Sequence, residues 1–128
     1  MSSSERSEAR RVILRLRRYR DRIEEITTGD GCGIGAGAPA GVAAQRRLAS
    51  LKNDLDHDSH ECEIGRKRAV QSDCEKRFLW PALREAAGAM MEQPGTRLLD
   101  ARAKEELRAA RVHILNYLTQ LEGLYPTL

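Results

Sequence analysis

An all-α fold, an antiparallel three-helix bundle with coiled-coil-like, spectrin-like packing, is predicted by three observations. Apolar residues recur at steps of three and four along most of the chain. No run alternates apolar and polar residues for long enough to make a strand. The composition is 32% charged and only 4% aromatic, and it is rich in Ala, Leu, Arg and Glu, which suits long amphipathic helices around a thin aliphatic core. At 128 residues the chain is expected to be a single domain, 1–128.

The first helix is expected over about 4–28. Ala9, Val12, Leu16, Tyr19, Ile23 and Ile26 form the seam of a helix that packs lengthwise on another. Serines before Glu5 suit its start and Gly29 its end. A Gly/Ala-rich loop, 29–40, then reverses the chain. The second helix is expected over about 41–93, with an early seam of Ala44, Leu48, Leu51 and Leu55. Its apolar stripe fades to Cys62 and Ile64, then resumes with Val70, Cys74 and Phe78 and continues through Leu79, Leu83, Ala86 and Met90. Pro81 removes a helix hydrogen bond and crowds the preceding turn, so a kink or restart is expected near it. The sequence "QPGT" makes the second turn, with Thr96 or Asp100 available as a cap. The third helix is expected over about 96–124, on a seam of Ala103, Leu107, Ala110, Ile114, Tyr117, Leu121 and Leu124.

The formal net charge is a mild +3, but it is unevenly laid out. Residues 10–20 carry six arginines and no acid, whereas residues 53–63 carry five acids and no Lys or Arg. Three cysteines without an N-terminal apolar signal run read as reduced thiols in a cytoplasmic protein. No stretch approaches the ~20 apolar residues that span a bilayer, so no membrane partner is expected.

Three stretches could carry chemistry. In "GDGCGIGAGAPAG" Gly31, Gly33, Gly35 and Gly37 alternate, yet each G-x-G-x-x-G frame ends on Ala36, Ala38 or Ala40. A helix rather than a strand precedes it, and no Gly-Lys-Ser/Thr follows, so it reads as a connector that holds no nucleotide. "DLDHDSHECE", Asp54–Glu63, places His57, His60 and Glu61 on one helix face, a set zinc would accept. The order matches no zinc-hydrolase motif and a further ligand would have to come from elsewhere, so a solvated acidic face is expected, with no metal. "RRVILRLRRYR" could bind phosphates as a basic helix. Its apolar positions lie on the packing seam and acids follow at once, so nucleic acid is the disfavoured alternative, beside a generic coiled-coil adaptor. No catalytic constellation emerges, and the chain reads as a non-enzyme without cofactors.

Two stretches together resemble the tubulin-binding cofactor A family, small three-helix chaperones of β-tubulin. "SDCEKRF", Ser72–Phe78, is similar to that family's D-C-x-x-R-L signature through Asp73, Cys74 and Arg77. "EELRAARVHIL", Glu105–Leu115, is similar to its E-x-[KR]-x-A-R-[LV]-x-[LI] pattern through Glu106, Arg108, Ala110, Arg111, Val112 and Ile114. The similarity covers roughly residues 64–118. Ser72 stands where the family often has Pro, Pro81 interrupts a helix usually continuous there, and the first connection is longer. The resemblance implies a cytoplasmic, cytoskeleton-associated chaperone that binds β-tubulin after chaperonin release and passes it to other tubulin-folding cofactors without nucleotide or metal. β-Tubulin is strongly acidic, so arginines would steer the encounter. The candidate contacts are Arg15, Arg18, Arg22, Arg66, Arg68, Arg77 and Arg111, with Asp58 and Glu61 facing a local basic surface. For Arg77 an intramolecular carboxylate partner is equally expected. The apolar seams can close within one chain or between two, so a homodimer stays open.

Overall fold

The computed structural model describes residues 3–32, 38–90 and 101–126, and the side chains of 3–27, 43–90 and 102–126. Among them every regular element is helical: α1 (Ser3–Cys32), α2 (Ala38–Lys67), a π turn (Glu75–Leu79) that runs into α3 (Trp80–Met90), and α4 (Ala101–Leu124). The all-α expectation holds. The helix count is four rather than three, because the stretch expected as one helix over 41–93 is interrupted at 68–72. Each of α1 and α3 packs against both α2 and α4, and all four helices feed one core.

Helix α1 continues past Gly29 to Cys32, and α2 begins at Ala38 rather than 41. A glycine inside a helix costs only about 1 kcal/mol relative to alanine, too little to end one by itself. Pro39 is tolerated in the first turn of α2 because an N–H there has no intrahelical acceptor. The middle of the expected 29–40 loop, residues 33–37, lies outside the described residues, as do the "QPGT" turn and its caps.

The seam of α1 is buried as expected, from Ala9 to Ile26, with Ile13 added to it. Ala44, Leu48, Leu51 and Leu55 of α2 are buried too. On α4 the core position is Leu118 rather than Tyr117, and Leu124 is exposed. Tyr117 packs its ring against the edge of the core, and its hydroxyl, which needs a partner, donates to Glu85 of α3. That contact holds the Tyr117 hydroxyl above its usual range.

The break after α2 is built from local hydrogen bonds. Ala69 takes a left-handed conformation at φ 56°, its N–H donates to the Arg66 carbonyl at 3.1 Å, and the Val70 N–H donates to the Gly65 carbonyl at 3.1 Å. This pair of reversed bonds is the helix-terminating Schellman pattern. Val70, expected on the core stripe, is 74% exposed because it sits in this turn. Gln71 folds back over the helix end, donating from Nε2 to the Cys62 carbonyl at 2.5 Å. Gly65 makes room for it, since a Cβ there would lie 3.2 Å from Gln71 Cγ.

The next helical stretch starts with a capping box. The Glu75 N–H donates to Ser72 Oγ at 3.2 Å, and the Ser72 N–H donates to Glu75 Oε1 at 3.2 Å. The restart expected beside Pro81 is present, because α3 begins at Trp80. That helix runs on through the proline, preceded by a wider turn in which the Trp80 N–H reaches the Glu75 carbonyl. That wider spacing gives the proline ring room where a regular turn would press it against the Arg77 carbonyl.

The turn therefore makes two opposite stability predictions. Ala69→Gly removes the Cβ penalty of the left-handed conformation and is expected to raise stability by about 1 kcal/mol. Ser72→Ala removes the cap and is expected to lower it by about 1 kcal/mol. Urea-unfolding midpoints of the two variants, moving in opposite directions, check both.

Candidate functional site

Six of the eight arginines of α1 fall into three sets by their helical phase. Toward α2, Arg15 pairs with Asp58 at 3.2 Å and Arg22 with Asp54 at 2.8 Å. Tyr19 lies between them and donates its hydroxyl to Asp58. Burial and then that carboxylate push the Tyr19 hydroxyl well above its usual range, so it stays a donor at any physiological pH. Toward α4, Arg17 reaches Glu122 through Nε at 2.9 Å, and Glu24 of α1 receives Arg111 through Nε at 3.0 Å and Nη2 at 2.6 Å. All of these pairs keep substantial contact with water, so each is worth no more than about 1 kcal/mol. Their consequence is register: they hold α1 at a set height against its two neighbours.

The third set is Arg10, Arg11 and Arg18, all exposed, and Leu14 among them is 51% exposed. Arg11 also edges a cleft beside Glu8, Ser72 and Glu75. At 100° per residue these four positions share one exposed side of α1. Among the described residues, Arg10, Arg11 and Arg18 form no ion pair. Arg18 also edges a cleft of about 200 Å³ that Arg15, Tyr19, Arg22, Asp54 and Asp58 line.

The other candidate contacts are scattered. The acidic stretch of α2 is not a uniform solvated face: Asp54 and Asp58 meet α1, and Glu63 accepts from Trp80 Nε1 at 2.8 Å. His57, His60 and Glu61 point outward and are exposed, and among the described residues no group of three His, Cys, Asp or Glu is disposed to hold a metal ion. The Arg66 guanidinium lies 4.6 Å over the Trp80 ring, with Arg84 at 5.2 Å from the ring. Arg68 is exposed in the turn, and Arg77 lies 5.2 Å over Phe78 rather than on a carboxylate of another helix. Of the nine candidates, the structure thus gathers Arg15, Arg18, Arg22 and Asp58 on one cleft and leaves Glu61, Arg66, Arg68, Arg77 and Arg111 apart.

Many residues of "SDCEKRF" and "EELRAARVHIL" serve the fold. Ser72 and Glu75 cap a helix, Cys74 is buried, and Ala110 and Ile114 lie in the core. Arg108 pairs with Glu105 on the same helix, and Arg111 is held by Glu24. Cys62 and Cys74 are free thiols, and burial pushes both above the usual thiol range. Sequence reasoning missed Arg10, Arg11 and Leu14 as an open surface. The signal was present, since Leu14 falls outside the seam that Val12, Leu16 and Tyr19 define.

Fold and site together define a chain whose regular elements, among the described residues, are all helices, with a charged, exposed stripe on α1, and no described helix is long and apolar enough to cross a membrane. No protein family, curated protein or solved structure matches the chain.

Proposed function

We propose that this chain is a non-catalytic binding protein that captures an acidic protein partner on the exposed face of α1. The observation that supports this reading is the set of Arg10, Arg11 and Arg18, which lack ion-pair partners among the described residues, around the exposed Leu14. Elsewhere on the helix, arginines of the same stretch are neutralised by Asp54, Asp58 and Glu122. An apolar side chain inside a ring of positive charge suits a protein segment that offers carboxylates around an apolar residue. It suits nucleic acid less well, because the stripe presents no aromatic ring for base stacking.

The partner named by the motif resemblance is β-tubulin, taken as a folding intermediate and passed to other tubulin-folding cofactors in the cytoplasm, with no nucleotide, metal or cofactor. The test is refolding of β-tubulin with and without the purified chain, followed by size exclusion. Co-elution without added nucleotide supports the assignment. If β-tubulin elutes unshifted while a salt-sensitive RNA complex forms, the chain belongs to the nucleic-acid class instead.

A further inference from the structure

The turn that joins α2 to α3 carries two local costs. Ala69 holds φ 56°, where a Cβ crowds the following carbonyl. Gln71 spends its Nε2 on the Cys62 carbonyl and leaves Oε1 buried without a hydrogen-bond partner. Both costs disappear if 68–72 straightens into helix, because Ala69 returns to the right-handed region and Gln71 reaches water. No Gly or Pro stands between Gly65 and Pro81 to forbid helix there, and Arg68, Ala69 and Gln71 are good helix formers, although Val70 and Ser72 are weaker ones. Opposing it are the two reversed hydrogen bonds of the turn and the Ser72–Glu75 cap. The contacts that close α3 onto α2, with Trp80 on Glu63 and Arg66, run between side chains of separate segments. A second copy can supply the same groups in the same geometry.

We propose that this chain forms a domain-swapped dimer, in which 68–72 is helical and α3 and α4 of each copy pack on α1 and α2 of the other. The partner is a second copy of this chain because only that copy reproduces the core contacts without new surface. Since closed and swapped forms share those contacts, the turn and the concentration decide between them.

The experiment unfolds the full chain in guanidinium chloride and refolds it at low micromolar and at near-millimolar concentration. Size exclusion with light scattering then reads the mass, and far-UV circular dichroism the helicity. The wild-type chain is expected to give monomer at low concentration and a dimer of undiminished helicity at high concentration. On dilution under native conditions the dimer is expected to persist for hours, because exchange requires unpacking both cores. Ala69→Gly keeps the fold, relaxes both closed turns, and is expected to lower the dimerisation constant by about tenfold or more. Monomer at every concentration would overturn the proposal. So would a dimer that re-equilibrates within minutes of dilution, or one indifferent to Ala69→Gly.

Discussion

Leu107→Asp is expected to unfold the chain at room temperature, whereas Leu14→Asp is expected to leave its melting temperature nearly unchanged. Leu107 is 0% exposed on the α4 seam, and Leu14 is 51% exposed on α1. The first substitution forfeits the burial of a leucine, worth about 2–5 kcal/mol, and places a carboxylate in the apolar core. Keeping that carboxylate charged or protonating it costs several kcal/mol more. Together these approach the whole stability of an ordinary domain, roughly 5–15 kcal/mol. Ile114→Asp, also at 0% exposure, is expected to behave the same way. The exposed substitution should stay within about 0.5 kcal/mol. Far-UV circular dichroism through a thermal ramp separates the two. Retained helicity in Leu107→Asp would mean that α4 does not seal the core.

The triple reversal Arg10→Glu, Arg11→Glu, Arg18→Glu is expected to weaken capture of the acidic partner by about 100-fold or more without loss of fold. Like charges set against each other across an interface cost several kcal/mol, and 100-fold corresponds to about 2.7 kcal/mol. The three side chains are exposed, so the fold has little reason to respond. The matched control is Arg15→Gln with Arg22→Gln, which removes the arginine partners of Asp58 and Asp54. That pair is expected to cost no more than about 1 kcal/mol of stability per site and to leave capture largely intact. Affinity measured at two ionic strengths completes the test, since a contact made by exposed charges weakens as salt shortens the screening length. If the control abolishes capture and the triple reversal does not, the binding surface is the cleft between α1 and α2 rather than the outer stripe.

The two contrasts mark where sequence reading succeeds. The seams of α1, early α2 and α3 were legible because a helix repeats every 3.6 residues, and burial on one side imposes that period on the apolar positions. Ala9 through Ile26 and Leu79 through Met90 follow it and are buried. Tyr117 departs: its ring packs against the edge of the core while its hydroxyl donates to Glu85. The break at 68–72 was written locally as well, in the Ser72–Glu75 capping box. It was masked because Ala69 occupies the left-handed position where glycine would normally mark a helix end, whereas the restart beside Pro81, signalled by the proline, is a second feature, a wider turn ahead of α3.

By itself, then, the sequence determined the all-α class of this chain, most of the residues that line its core, and the concentration of positive charge on α1. Only the tertiary structure decided that the middle segment folds back on itself. Glu63 and Trp80 are 17 residues apart and would stand about 25 Å from each other along one straight helix, yet they share a hydrogen bond of 2.8 Å. It also decided which arginines remain open. Arg15, Arg17, Arg18 and Arg22 are chemically identical and lie within two turns of one another. Whether each meets Asp58, Glu122, solvent or Asp54 depends on which helices flank α1 and at what height. Periodicity is a property of one helix, whereas charge pairing needs the coordinates of two.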